Sequence, residues 1–347
     1  MNSTKDNYFK PFKIGSTELK NRYVLAPMAG VSDVAVRICA ARHHASLVYT
    51  EMISASALAR DSRETLLKIR ETQRDEAPLS LQLFGSRIED IRKAIPILEA
   101  EARYSFLDFN LGCPVNKVMK QEAGSSMLKD LDNLYSLIRE VVSLSHHPVT
   151  AKARIGYSDP KDCVQIVEAL QEAGISAIAM HGRTRNEFYQ GLPHYDMLKE
   201  AREVCKVTFI ANGNIGMDNF QKVLEYTGAD AVIIGRNAIG NPGIFEQMEQ
   251  VELGETPEHI SYERQKALFL ELLDLEFSRP LPERKIASAF RTIAPEFFNS
   301  LPSSKKLRNL LVKCSSKQDY LNVIENSDRF IAQEIYDEDP GRLSQRG

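Results

Sequence analysis

The segment Phe106-Leu-Asp-Phe-Asn-Leu-Gly-Cys-Pro114 is an apolar run that breaks into a glycine-bearing loop carrying a cysteine. Seven further runs of the same kind recur along the chain. The eight finish at Pro27, Glu51, Gln82, Asn110, Lys152, His181, Asn212 and Gly235, and each leads through a loop into a segment with helical apolar spacing. Eight such units are the repeat of an α/β fold, the TIM (β/α)8 barrel. In that architecture the polar strand ends collect on one face, where chemistry is done. Cys113 then stands on that face, in the longest strand-to-helix loop, and is the first candidate for a catalyst.

Local signals agree with this count. Tyr23-Val-Leu-Ala-Pro27 makes the first strand, Met28-Ala-Gly30 turns the chain, and Asp33 is placed to cap the helix that follows. The remaining strands are expected over residues 47–50, 79–84, 106–110, 149–152, 177–180, 207–211 and 231–234, with a helix over 88–98. Strand ends lie 23 to 31 residues apart, except for 42 between Asn110 and Lys152. The excess falls at 112–124 and is expected to form an active-site loop with room to cover a ligand.

A length of 347 residues accommodates one barrel of about 250 residues and a small appended domain. An acidic, proline-containing connector at 251–259 marks the boundary, and apolar spacing over 262–277, 305–312 and 320–324 predicts a small C-terminal helical domain. The expected organisation is a tail at 1–10, the barrel at 11–250, the helical domain at 251–330 and a tail without structure at 331–347. No run of about 18 apolar residues is present to span a bilayer. The polar first ten residues carry no signal-peptide core, so a cytoplasmic protein without membrane contact is expected. Five scattered cysteines without CxxC pairs suggest neither a disulfide framework nor a metal site. The net charge of −3 hides an asymmetry: residues 279–317 hold nine basic side chains against Glu283 and Glu296. Such a run is usually a solvated helical face, yet beside an active-site mouth it suits a polyanion.

The loops after the seventh and eighth strands often bind phosphate in this fold. Here they read Ile210-Ala-Asn-Gly-Asn214 and Ile234-Gly-Arg-Asn-Ala-Ile-Gly240. Gly213 and Gly235 let backbone approach an anion, and Arg236 adds a full charge. Lys152 and His181 stand at strand ends beside that site. A lysine can stabilise the anionic reduced ring of a flavin, and an amide such as Gln82 or Asn110 can bond its polar rim. In His181-Gly-Arg-Thr-Arg185 either arginine would face phosphate or substrate. His43-His44 and His146-His147 flank helix ends and are expected at the surface.

Ala26-Pro-Met-Ala-Gly-Val-Ser-Asp33, Thr50-Glu-Met-Ile-Ser54, Asn110-Leu-Gly-Cys-Pro114, Ala123-Gly-Ser125, His181-Gly-Arg-Thr-Arg185, Ala211-Asn-Gly213 and Gly235-Arg236 together resemble the tRNA-dihydrouridine synthases, the bacterial B type above all. The resemblance implies a TIM barrel that binds flavin mononucleotide (FMN), a C-terminal helical RNA-binding domain, and reduction of a uridine to 5,6-dihydrouridine with NADPH. It implies that Cys113 is the general acid that protonates C5 while hydride from reduced FMN reaches C6. Pro27, Met28, Gln82, Lys152, His181, Asn212, Gly213, Gly235 and Arg236 match FMN-binding positions, with Ala29 and Asn214 beside them. Asn110 and Lys117 match positions near the base. Arg154, Arg183 and Arg185 are further candidates for substrate, as are Arg291, Lys305, Lys306 and Arg308 in the helical domain. A thiol with an ordinary pKa of about 8.5 is mostly protonated at neutral pH, as an acid must be.

One stretch departs from the resemblance. B-type relatives commonly carry Arg-Lys-His followed shortly by Trp-Tyr in the C-terminal domain, whereas this chain has Arg291-Thr-Ile293 and then Glu296-Phe297. The RNA partner expected first is tRNA, with a ribosomal RNA uridine as the alternative. Two other classes stay open: an FMN oxidoreductase acting on a small pyrimidine or enone, and a non-catalytic RNA-binding protein that keeps the barrel as scaffold.

Overall fold

The structure, a computed structural model, describes residues 11–331. The tail expected at 1–10, and that expected at 331–347 except Ile331, lie outside the described residues. Strands β1 (Phe12–Ile14) and β2 (Thr17–Leu19) pair as an antiparallel hairpin. Then come β3 (Tyr23–Leu25), β4 (Val48–Tyr49), β5 (Ile53–Ser54), β6 (Leu79–Phe84), β7 (Phe106–Leu111), β8 (Val149–Arg154), β9 (Ala177–His181), β10 (Thr208–Asn212) and β11 (Ala231–Ile234). They form a parallel sheet in the order β3-β11-β10-β9-β8-β7-β6-β4, with β5 extending the pairing at the end of β6. Closure comes from a parallel bridge between Val24 and Leu47, where Leu25 N–H donates to Leu47 O at 2.9 Å. The eight expected strands are all present and the barrel is closed. The hairpin and β5 are elements that the apolar runs did not announce, since each is only two or three residues long.

Side chains alternate across each strand, and this alternation sorts the barrel into two environments. Along β7, Leu107, Phe109 and Leu111 join the cluster between sheet and helices, while Phe106 faces inward with Val24, Leu47, Tyr49, Ala179, Ile210 and Ile233. Phe12, Ile14 and Leu19 of the hairpin pack into this inner cluster and fill the barrel from below. Further along the same inward rows the residues turn polar, with Gln82, Asp108, Thr150 and Asn110 all buried. The active face is built on an apolar plug.

Asp33 caps the helix Val34–Arg42, its carboxylate accepting from Ala35 and Val36 N–H as its position suggested. Ser261 caps the helix Tyr262–Phe277 in the same way. Helices Glu283–Phe290, Lys305–Leu311 and Lys317–Glu325 complete the C-terminal region, the first of them unforeseen. Around fully buried Phe269 stand the rings of Phe290, Phe297, Phe298 and Tyr320 at 5.5 to 6.3 Å. One apolar cluster runs unbroken from the helix Val34–Arg42 into these rings. Two polar devices fix the join. Arg279 pairs with Asp33, Glu71 and Glu276, so this member of the basic run is consumed by packing. Gly240, at φ +73°, lies so close to the helical region that a Cβ there would sit 2.3 Å from the Glu296 carbonyl carbon.

His43 is a correction to its expected surface position. Its ring nitrogens reach Glu246 at 3.3 Å and Glu271 at 2.8 Å, tying the barrel to the long C-terminal helix. Cys39, His43 and Glu271 bring potential ligand atoms within 4.8 Å, an i, i+4 spacing that the sequence reading passed over. Burial pushes the Cys39 thiol far above its usual range, and His43 is already engaged on both sides. The group reads as a docking contact. Phe269→Ala should cost about 3–5 kcal/mol in urea unfolding, because the site is closed on all sides and cannot collapse.

Candidate active site

A cavity of about 890 Å³ opens at the carboxyl ends of the strands. Its wall is contributed by every part of the barrel: Ala26, Pro27, Met28 and Ala29 after β3, Gln82 on β6, Asn110 and Cys113 at β7, Lys152 and Arg154 on β8, His181 on β9, Asn212, Gly213 and Asn214 at β10, and Gly235 and Arg236 after β11. All eleven residues expected to hold the cofactor line this one space.

Cys113 is held from both ends of its peptide unit. Its N–H donates to Asn110 Oδ1 at 3.0 Å, and its carbonyl accepts from Ser125 N–H at 3.1 Å and Ser125 Oγ at 2.8 Å. Gly124, at φ +64°, allows this approach, since a Cβ would lie 2.8 Å from that carbonyl oxygen. The long loop is therefore built, containing the helix Asn116–Met119 and the turn Gly124–Lys129. Burial pushes the Cys113 thiol up, partly opposed by the Val115 N–H, Arg154 and Lys152. It stays a thiol at neutral pH.

The rest of the wall is cationic. Lys152 Nζ donates to Asn212 Oδ1 at 3.1 Å, and Asn212 Nδ2 donates to Ile233 O at 3.0 Å. Burial first, and then Arg154, bring Lys152 down to about 8. His181 is driven well below the usual imidazole range by burial and by Lys152, Arg154, Arg183 and Arg236. It is neutral, and its Nε2 accepts from Arg183 Nη1 at 3.4 Å. Arg236 Nη2 donates to Asn214 Oδ1 at 2.8 Å. Such a wall has room and charge for an anion.

Several expected substrate residues are engaged within the protein. Arg154 is 2% exposed and donates to the carbonyls of Gly112, Thr184 and Phe188, so it wires three loops together at the cavity edge. Arg183 donates to the carbonyls of Gln190 and Gly191 and lies outside the wall. Arg185 stands over the rings of Tyr157 and Phe188 at 5.5 and 5.0 Å. Lys117 is exposed on the helix Asn116–Met119 and is not part of the wall. In the helical region Arg291 Nε donates to Cys314 O at 2.6 Å and Arg308 to Asn299 Oδ1 at 2.8 Å. Lys305 is exposed and Lys306 half-buried at the start of the helix Lys305–Leu311, and neither reaches the cavity.

Tyr189 is a wall residue that the motif reading missed. It is 57% exposed, with its ring 5.4 Å from the Arg154 guanidinium, 5.6 Å from that of Arg236 and 6.2 Å from the His181 ring. An aromatic in the loop after a strand that ends in histidine was the available signal. Flat rings beside cations suit a base or another planar ligand.

A closed eight-stranded barrel with a polar cavity at its strand ends is the architecture of TIM-barrel enzymes. Two solved structures share the fold: morphinone reductase in complex with tetrahydroNAD, at TM-score 0.51, and morphinone reductase, at 0.53. Each is 16% identical, over 74% of this chain and 93% and 92% of theirs. The family model for dihydrouridine synthase (Dus) matches residues 24–335. The chain belongs to the dihydrouridine synthase family, and it is an oxidoreductase of the tRNA-dihydrouridine synthase kind. It is 37% identical to tRNA-dihydrouridine synthase B of Vibrio parahaemolyticus, over 74% of this chain and 80% of that protein. With tRNA-dihydrouridine synthase B of Pasteurella multocida it shares 36%, over 69% and 72%. Among the described residues no helix is long and apolar enough to cross a membrane.

Arg236→Ala should weaken binding of inorganic phosphate roughly 10- to 100-fold as read by calorimetry, the loss of one hydrogen bond to a charged group.

Proposed function

We propose that the cavity holds FMN and that the protein reduces a uridine of RNA, tRNA in the first place, to 5,6-dihydrouridine with NADPH as reductant. The observation that carries this reading is a buried thiol, Cys113, and a half-buried lysine, Lys152, on the wall of a single cavity. When bound and reduced, FMN supplies hydride to C6 of the uracil. The residues present fit it. Arg236 and the backbone at Gly213 and Gly235 suit a phosphate, Lys152 suits the electron-rich edge of the ring, and Gln82 and Asn110 offer amide donors and acceptors.

Cys113 does the protein's share of the chemistry. Hydride addition at C6 leaves enolate-like charge on the base, and the Sγ proton quenches it at C5. Burial that keeps the sulfur protonated thus serves the reaction. Lys152 carries its charge below about pH 8 and loses it above. Any step that needs the ammonium is complete at neutral pH and fades as pH rises through that value. Tyr189 and Arg154 stand at the cavity edge where a base pulled out of its stack would enter, and basic side chains of the helical region would hold the surrounding phosphates.

One observation favours a ribosomal RNA uridine as the second reading. Ile293 and Phe297, at the stretch where the chain departs from B-type relatives, are buried in the apolar cluster, and Arg291 is tied to a backbone carbonyl. Where those relatives carry histidine and tryptophan this chain has a buried Ile293 and an exposed acid, Glu296, and neither would hold RNA as those residues would.

Mass spectrometry of nucleosides, after incubating dihydrouridine-free tRNA and ribosomal RNA separately with protein, FMN and NADPH, tests the reading. Dihydrouridine in one fraction is the expected result. Its absence from both, with a reducible flavin, would favour a small-molecule oxidoreductase, and a protein that binds RNA but no flavin would favour a scaffold. Cys113→Ala should still oxidise NADPH yet lose about 10²–10⁴-fold in dihydrouridine formation. The wild-type rate should fall on the alkaline side with a midpoint near pH 8.

A further inference from the structure

Below the cavity wall sits an acid that the proposed chemistry does not use. Asp108 is fully buried on the inward row of β7. Its Oδ1 accepts from Thr150 Oγ1 at 2.7 Å and its Oδ2 from Gln82 Nε2 at 2.7 Å. The chain continues upward: Gln82 Oε1 accepts from Asn110 Nδ2 at 2.7 Å, and Asn110 Oδ1 accepts from Cys113 N–H at 3.0 Å and Gly112 N–H at 3.3 Å. Gln82 is fastened separately by its own N–H, which donates to Thr50 Oγ1 at 2.9 Å.

The direction of these bonds is not arbitrary. A primary amide can turn over and exchange its donor and acceptor ends, but an ionised carboxylate accepts only. With Asp108 as the terminus, Gln82 must point its NH2 group down and its oxygen up. Asn110 must then offer NH2 to Gln82 and its oxygen to the Cys113 loop. Turned over, Asn110 would set its NH2 against two backbone N–H groups in a buried site, a costly arrangement.

We propose that Asp108 is a positioning residue for Cys113: as the acceptor-only end of the chain Asp108–Gln82–Asn110, it sets the polarity of both amides and so latches the Cys113 peptide unit. The assignment rests on Cys113 being the acid of the proposed reaction, while the latch itself is a property of the protein alone. Other polar groups face Asp108 without replacing it. Tyr49 on β4, itself beside Ser80 of β6, is close enough to feel its charge, and Lys152 on β8 supplies a nearby positive charge. Burial raises the carboxyl to about 6, opposed by Gln82, Thr150 and Lys152, so it is ionised at neutral pH.

The test is the alkylation rate of each cysteine by iodoacetamide, in protein without flavin or RNA, followed by peptide mass spectrometry. Cys113 lines the cavity and the other four cysteines do not, which provides four internal controls. Asp108→Ala should speed alkylation of Cys113 roughly tenfold, the effect of about one lost hydrogen bond, and leave the rates of Cys39, Cys163, Cys205 and Cys314 unchanged. Asn110→Ala should do the same, and the double variant should add nothing, because both act through one chain. Asp108→Asn keeps the shape if the alanine variant fails to fold. It leaves the amide polarity undetermined and should accelerate Cys113 partway. A Cys113 rate equal to wild type in the Asp108 variants, equal acceleration of all five cysteines, or additivity in the double variant overturns the proposal. Failure of the proposed reaction would show differently, as wild-type protein that makes no dihydrouridine.

Discussion

The structure depends on one constraint, the strict alternation of side chains along parallel strands that close into a ring. Once the bridge between Val24 and Leu47 joins the first strand to the second, every strand has an inside and an outside, and a shift of one residue would exchange them. The inward rows begin with Phe106, Ala179, Ile210 and Ile233 over the hairpin plug and end with Asn110, His181, Asn212 and Gly235. A site of eleven or more residues, drawn from segments as distant as Pro27 and Arg236, is thereby assembled from short stretches that are far apart in sequence.

Electrostatics in this site follows from desolvation more than from any single pair. Three cations and a histidine share a partly closed wall, so His181 gives up its proton and Lys152 comes down to about 8. The compensating negative charge is Asp108, hidden beneath the amides. Because the acid is below and the cations above, the mouth remains attractive to an anion, while burial keeps Cys113 protonated against the opposing pull of Arg154 and Lys152. That polarity suits the phosphate-bearing ligands of the proposed reaction.

The helical region shows how a charge count overstates function. Of the nine basic residues counted over 279–317, Arg279 holds the helical region to the barrel, Lys317 pairs with Asp274, and Arg291 and Arg308 bond within the region. Arg284, Lys285, Lys305 and Lys313 are exposed. The aromatic cluster about Phe269 takes up Phe297, and Ile293 lies in the same apolar cluster.

The sequence by itself determined the eight strands, the face on which their ends meet, the Asp33 cap and the strand-end residues of the cavity wall, because apolar runs of period two and their polar termini are local signals. It also carried the family, through motifs spread over most of the chain. Tertiary structure decided what those side chains are free to do. Arg154 and Arg183 read as ligands for a substrate in a linear chain, yet both are spent on loop carbonyls brought near only by folding. Tyr189 became part of the wall because its loop folds back over Arg154 and Arg236. Asp108 looked like one polar residue in an apolar run, and its meaning came from Gln82 and Thr150, contributed by the strands on either side. Hydrogen-bond partners that are 26 to 42 residues apart in the chain leave no local trace, so their pairing is decided by the barrel alone.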